Sequence, residues 1–551
     1  MHLVKRSTRV LTILALPIVL VAGCESSSGD EATDTADETA GDPTETIVYS
    51  VSVNGVEVPV HRIDRFETPV SFVRFDYVPG ATISVTSAEP YDTFKLSPEV
   101  RGIAATKIEN TLSFSVAKPE YLILQPSGLE RLLILIDPPE ENAPVLGAPG
   151  VVNIMDYGVD PTGTTLGTAS IQAAIDAQEG TGNVLYVPPG TYLTGELWMK
   201  SGMTLYLAEG AVLRGSSNLA DIVTANPAGS TVEQCLHALV RMNGVTDSHI
   251  RGRGILDGNG TFHRNADRPE TKYNLLKIED SANCTIDGVI AVDSSFWNTI
   301  VYRSDSVEIT NYKVINHYKL VGWNETDGVD FDNATNSRLS NSLLYVGDDC
   351  MATKSDDIPD DYERPEGVDN YPADPTQSAT YFAVNNVVHE NVVCFTNQAA
   401  AKVGTKTMGP EMSDIVFRNI DVVRCGRGLV IDAMDTANVH DVTFENIAFE
   451  FGKPFDGVNF IIRAGTDWRY SEGIGRIEDI VANNIHFHGF SGQPLFRLEG
   501  RTDDSTDPPT VHPLGSISFS GIVVDGQPVI EDNATDLLRV VTHEVEELTF
   551  Q

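Results

Sequence analysis

Cys284-Thr285-Ile286-Asp287-Gly288 and, one turn of chain later, Val307-Glu308-Ile309-Thr310-Asn311 are two versions of one phrase, an apolar–polar alternation closed by Gly or Asn. Alternation reads as a half-buried strand, and the closing residue as a tight corner. The phrase recurs at His249-Ile250-Arg251-Gly252, Arg338-Leu339-Ser340-Asn341, Ile415-Val416-Phe417-Arg418-Asn419, Val442-Thr443-Phe444-Glu445-Asn446 and Ile517-Ser518-Phe519-Ser520-Gly521. Ile286 to Ile309 is 23 residues and Asn419 to Asn446 is 27, within the repeat range of stacked coils. The spacing predicts an all-β chain, a right-handed parallel β-helix over 150–551, whereas a second sandwich would need no such regularity. Ile171, Ala174 and Ile175 recur at helical spacing, so a short helix near 170–178 is expected to cap the first coil.

Upstream the pattern changes. Two alternating runs, 47–53 and 56–60, flank Asn54-Gly55, a strong hairpin signal. Short strands over 71–77, 82–86, 111–116, 121–125 and 132–136 complete a small β-sandwich at 47–138. Pro138, Pro139, Pro144 and Pro149 then mark a linker.

The 551 residues carry 38 Lys plus Arg against 78 Asp plus Glu, a formal charge of −40. So acidic a surface repels phosphate backbones, and no nucleic-acid partner is expected. Lys5, Arg6 and Arg9 precede an apolar run at 10–21, too short to span a bilayer comfortably, and then Ala22 and Gly23. Residues 1–24 therefore read as an export signal. Val21-Ala22-Gly23-Cys24 resembles the bacterial lipobox, which implies lipidation of Cys24 and a membrane link through that lipid alone. An ordinary cleaved signal is the alternative. Residues 25–46 contain no Lys or Arg and few large apolar groups, as in a flexible acidic tether. The expected product is an exported, lipid-anchored monomer. Beyond Cys24 stand Cys235, Cys284, Cys350, Cys394 and Cys425, an odd number, so at least one is unpaired. Cys350 and Cys394 lie in strand-like runs and read as buried thiols. Nothing has C-x-x-C spacing, and no metal or cofactor is expected.

Chemistry concentrates in Thr326-Asp327-Gly328-Val329-Asp330 and Gly347-Asp348-Asp349-Cys350. Asp327 and Asp348 are 21 residues apart, about one coil, and adjacent coils stack at ~4.8 Å, so the two should lie one above the other. Crowded carboxylates raise at least one pKa, leaving a protonated acid beside ionised ones, as glycosidic cleavage requires. The same residues also suit plain turn chemistry, and Asp330 or Asp332 could hold a cation.

The run from Ser295-Phe296-Trp297 through Asp327-Gly328 to Gly347-Asp348-Asp349-Cys350 and Lys354-Ser355 resembles glycoside hydrolase family 28, the polygalacturonase-like β-helix enzymes of pectin-lyase-like fold. Asp156-Tyr157-Gly158, Ile171-Gln172-Ala173-Ala174-Ile175 and Val187-Pro188-Pro189-Gly190-Thr191-Tyr192 look like the family's opening. The resemblance implies an inverting hydrolase of an extracellular polysaccharide or oligosaccharide, with Asp348 as general acid and Asp327 and Asp349 as the base pair. A sandwich before the helix is similar to the family 49 dextranases, which cleave neutral glucans.

The departures are specific. Glu325 stands where the family has Asn, Ala399 where it has the His of G-H-G, and Val430-Ile431-Asp432 where R-I-K binds a carboxylate. An acid in place of a cation disfavours galacturonate and favours a neutral glycan, unless Lys402 and Lys406 restore the charge; strand-end lysines are usually solvated. Trp297, Trp323, Trp468 and Tyr470 are candidate sugar platforms, with Glu325, Lys402 and Asp432 as further substrate contacts. A polysaccharide lyase on the same fold is the competing enzyme, disfavoured because no Arg is adjacent to the acids in sequence. A non-catalytic carbohydrate-binding protein is the third reading.

Overall fold

A computed structural model describes residues 48–222, 237–263, 272–316, 325–356, 384–450, 456–463, 473–490, 492–503, 506 and 508–551. Cys24, Cys235, Trp323, Trp468 and Tyr470 lie outside them.

Two five-stranded sheets form the amino-terminal sandwich. Its first hairpin joins Tyr49–Val53 to Val56–Val58 through Asn54 and Gly55, both at positive φ as an Asn-Gly turn requires. The central strands Val70–Asp76, Glu120–Pro126 and Arg131–Asp137 are buried almost throughout, on both faces. Leu132, Ile134 and Ile136 point into the sandwich. Leu133 and Leu135, one residue out of phase, pack with Ile290, Leu343, Tyr345 and Phe395 of the solenoid. Sandwich and solenoid thus lie in one compact unit, Ile47–Gln551.

Polar contacts pin the same interface. Lys313 Nζ, wholly buried, lies 3.0 Å from Asp137 Oδ1, and Arg74 Nε is 2.9 Å from Asp137 Oδ2. The Tyr121 hydroxyl donates to Asp137 at 2.6 Å, and Arg65 reaches across to Asp257 at 2.6 Å and Asp293 at 2.5 Å.

The solenoid is a right-handed parallel β-helix, whose strands among the described residues fall mainly in a 22-stranded and an 11-stranded sheet. Helix Thr168–Asp176 buries Ile171, Ala174 and Ile175 on the first coil, in the expected capping place. The Asn residues that close the repeated phrase form corners at positive φ, where Asn is tolerated. Their side chains run in file: Asn391 donates to Asn341, Asn419 to Asn391, Asn446 to Asn419 and Asn484 to Asn446, at 2.8–3.1 Å. Inside, stacked coils stack rings: His389 lies 4.6 Å from Phe417, and Phe417 5.2 Å from Phe444.

Cys350 and Cys394 are not free thiols. They form a disulfide with Cα atoms 6.2 Å apart, because strand Met351–Ser355 and strand Val384–Phe395 bring the two inward-facing positions together across the core. Cys284 and Cys425 are buried thiols.

Candidate active site

The site occupies the 11-stranded sheet, where Thr299–Tyr302, Val329–Asp332, Met351–Ser355, Ala399–Thr407 and Arg427–Ala433 pair in sequence, all parallel. Ile300, Asp330, Ala352, Lys402 and Val430 fall in register across them. The coil step at the acids is 22 residues, since Val329 pairs with Met351. Asp327 therefore sits beside Asp349, and the expected stacking of Asp327 on Asp348 is off by one residue. That shift separates the two members of the Asp-Asp pair. Asp349 is buried against its neighbours, while Asp348 is partly open to solvent.

Backbone contacts fix the two turns. The Gly328 amide donates to the Asp349 carbonyl at 2.9 Å, and the Gly347 amide to Thr326 Oγ1 at 3.1 Å. A Cβ on Gly328 would lie 2.4 Å from the Cys350 oxygen, so only glycine allows this approach. Asn298 Nδ2 donates to the Asp327 carbonyl at 2.8 Å and is itself held by its Oδ1, which accepts from Asn316 at 3.0 Å.

Cations divide the carboxyls. Lys402 Nζ is 2.6 Å from Asp349 Oδ2, Arg427 is 3.5 Å from Oδ1, and the Ala399 amide donates to Oδ1 at 2.9 Å. Burial opposes Asp349's charge, but Lys402 and Arg427 outweigh it and hold the carboxyl at about 2. Asp348 moves the other way: burial, then the nearby Asp327 and Asp349, push it well above the carboxylate range. Asp327 is also raised by burial, against the pull of Lys354 Nζ at 3.0 Å. Lys354 lies 3.8 Å from the Trp297 ring centroid and contacts Asp330 at 3.1 Å. Glu325, raised by burial, pairs with Lys272.

Residues 180–452 match the model of Glycosyl hydrolases family 28. They are a family 28 domain. Over 366 residues the chain is 29% identical to an exo-poly-alpha-D-galacturonosidase of Dickeya chrysanthemi, covering 53% of this chain and 58% of that one. A probable polygalacturonase of Vitis vinifera is 29% identical over 220 residues, 37% of this chain and 44% of its own. The chain thus spans about half the length of these curated relatives. In fold it is similar to the family 28 exopolygalacturonase of Yersinia enterocolitica, with TM-score 0.54 and 16% identity over 85% of this chain and 96% of that one. It is also similar to Dex49A of Penicillium minioluteum, with TM-score 0.56 and 12% identity over 92% and 94% of the two chains.

Several expectations change within this family 28 domain. Lys402 is not solvated and not a free substrate arm, because Asp349 holds its ammonium in a buried pair. Lys406 likewise pairs with Asp356. Asp432 does not present a bare charge: it is 1% exposed, with Arg427 3.1 Å from Oδ2 and Arg463 3.0 Å from Oδ1. Arg427 also brings a guanidinium to the acids, which the local sequence lacked. Trp297 is partly exposed, but Phe296 stacks on its ring at 4.7 Å and Lys354 lies over it, so it is not an empty platform. Asp330 contacts Lys354, and Asp332 accepts from the Asp356 amide at 3.0 Å. Ala399 gives its amide to Asp349 and accepts from the Cys350 amide at 2.8 Å. In the sequence Lys354 has a place only within a motif, and Arg427, Arg463, Lys272 and Asn298 have no role. Their partners are 27, 78, 31, 53 and 29 residues away, so only the register reveals them.

Proposed function

We propose that this family 28 domain is a glycosidase that hydrolyses O-glycosidic bonds of an extracellular polysaccharide with inversion. Asp348 gives its proton to the leaving oxygen, while Asp327 and Asp349 take the proton of a water that attacks the anomeric carbon. One observation carries this reading: adjacent carboxyls are driven apart, Asp348 towards the protonated form and Asp349 firmly ionised by Lys402 and Arg427. An acid and a base side by side is the arrangement that general acid–base cleavage needs.

The pH dependence follows from those directions. Activity is lost as pH rises through the elevated Asp348, which must be protonated. It is lost on the acid side as the raised Asp327 takes up a proton. Because Asp349 stays ionised down to about 2, the acid limb belongs to Asp327, so Asp327→Glu should move that limb and Lys402→Arg should not. A profile with its acid limb unchanged in Asp327→Glu would remove Asp327 from the base. Nuclear magnetic resonance of the first-formed anomer tests inversion.

The substrate reading turns on Asp432. The case for a neutral glycan assumed an unpaired acid there, and two arginines now outnumber that acid. Arg463, about one-third exposed, is placed to meet a sugar carboxylate, and the relatives named polygalacturonase point the same way. We therefore favour a uronide-bearing chain. Arg463→Ala should raise KM for de-esterified polygalacturonate on the order of tenfold or more, the value of one charged hydrogen bond at ~1.5–3 kcal/mol. Faster turnover of neutral glycans by the unaltered protein would overturn this choice, and ultraviolet-absorbing unsaturated products would indicate a lyase.

Export and anchoring through Cys24 belong to the same proposal, since an acidic tether and a single acyl site would hold such an enzyme near polymeric substrate. Cys24→Ser should move the protein from the membrane fraction to the soluble one; retention in the membrane counts against the anchor.

A further inference from the structure

Asp330 is the fourth carboxyl of the site and is not one of the three acids given roles above. It is wholly buried, in register between Ile300 and Ala352. Oδ2 contacts Lys354 Nζ at 3.1 Å; Oδ1 has no hydrogen-bond partner among the described residues. Lys354 is equally committed to Asp327, at 3.0 Å. One ammonium therefore serves two carboxyls, whereas Asp349 has Lys402 and the Ala399 amide to itself and shares Arg427 with Asp432.

A buried carboxylate oxygen without a donor is costly, and two ionised groups on one ammonium leave a net charge in the interior. The arrangement is relieved when one of the pair is neutral. Asp330 is the one with the orphan oxygen and no exposure. We propose that Asp330 is a positioning residue that carries a proton at Oδ1 and uses Oδ2 to hold the Lys354 ammonium against Asp327, so that the base, not its neighbour, receives the charge. This rests on the assignment of Asp327 to the base in the proposed function. The charged groups facing Asp330 are Lys354 on the following strand, Asp349 in the turn before it and Asp327 on its own segment. The preceding strand Thr299–Tyr302 presents Ile300 there. Burial first, and then Asp327 and Asp349, raise the Asp330 pKa, with Lys354 opposing.

Two measurements on the full chain test this. The first reads unfolding against pH and needs no substrate. A group protonated in the folded state but ionised when unfolded costs stability at high pH, and that cost vanishes as pH falls below the unfolded value of about 3.9. Asp330→Asn should therefore unfold at a higher temperature than the unaltered protein at pH 8, with the gap narrowing towards pH 5. A lower unfolding temperature at pH 8 means that Asp330 is an ionised partner of Lys354 and overturns the proposal. The second compares Asp330→Asn with Asp330→Leu on polygalacturonate. The amide oxygen still accepts from Lys354; leucine cannot. Asp330→Asn should retain about tenfold more kcat than Asp330→Leu, and only the leucine variant should shift its acid limb to higher pH as Asp327 loses its cation. Equal losses with unshifted limbs overturn the positioning role. If the unaltered protein hydrolyses no glycan, the proposed function fails, while the unfolding comparison still reads the proton on Asp330.

Discussion

Asp348→Asn lowers kcat by about 10²–10⁴, the contribution of a positioned general acid, and leaves folding intact. The amide matches the carboxyl in shape and keeps the oxygen that accepts from the Asp349 amide at 3.0 Å, but has no proton to deliver. Because burial and two neighbouring carboxyls hold Asp348 in its protonated form, the substitution also removes no charge from the folded site. The loss should therefore be confined to kcat, with KM little changed and the unfolding temperature at neutral pH no lower than that of the unaltered protein, since a carboxyl protonated only when folded costs stability above its unfolded value. Substrates with a good leaving group, such as a nitrophenyl glycoside, need less protonation and should recover much of the rate. A uniform loss on both substrate types would mean that Asp348 does something other than protonate the leaving oxygen.

The second large effect is on stability, far from the acids. Asp137 receives Lys313, Arg74 and the Tyr121 hydroxyl where the sandwich meets the solenoid, and Arg253 stands 3.8 Å away. Asp137→Asn leaves those cations in the interior without their anion, and breaking a buried pair in this way costs about 3–5 kcal/mol. Lys313 is already lowered to about 8, by burial against the pull of Asp137, and would shed its proton once that carboxylate is gone. Denaturant unfolding followed by tryptophan fluorescence checks the figure. A loss under about 1 kcal/mol would place the strength of the interface in its apolar contacts, Leu133 and Leu135 against Tyr345 and Phe395.

Much of this architecture is written in local pattern. The Asn-closed phrase announces its own corners, and a run such as 132–136, apolar at every position, belongs to a strand covered on both sides. The three acids are legible because they sit in two short motifs. Their cations are not, because each pairing depends on register across a coil whose length nothing local fixes: 22 residues from Val329 to Met351, but 50 from Met351 to Ala401. The same blindness produced the one-residue error at Asp348 and hid the pairing of Cys350 with Cys394, 44 positions on. Asp432 looked repulsive because nothing local marks Arg427, five residues before it, or Arg463, 31 residues beyond it, as its partner.

The file of asparagine corners has a consequence for protein engineering. Its members are separated by 50, 28, 27 and 38 residues, yet each meets the next within the same few tenths of an ångström. Differences in coil length are therefore absorbed elsewhere around the circumference, and none is passed on to the spine. A change in coil length made away from the asparagine corners is therefore expected to leave undisturbed the pitch on which the acids depend.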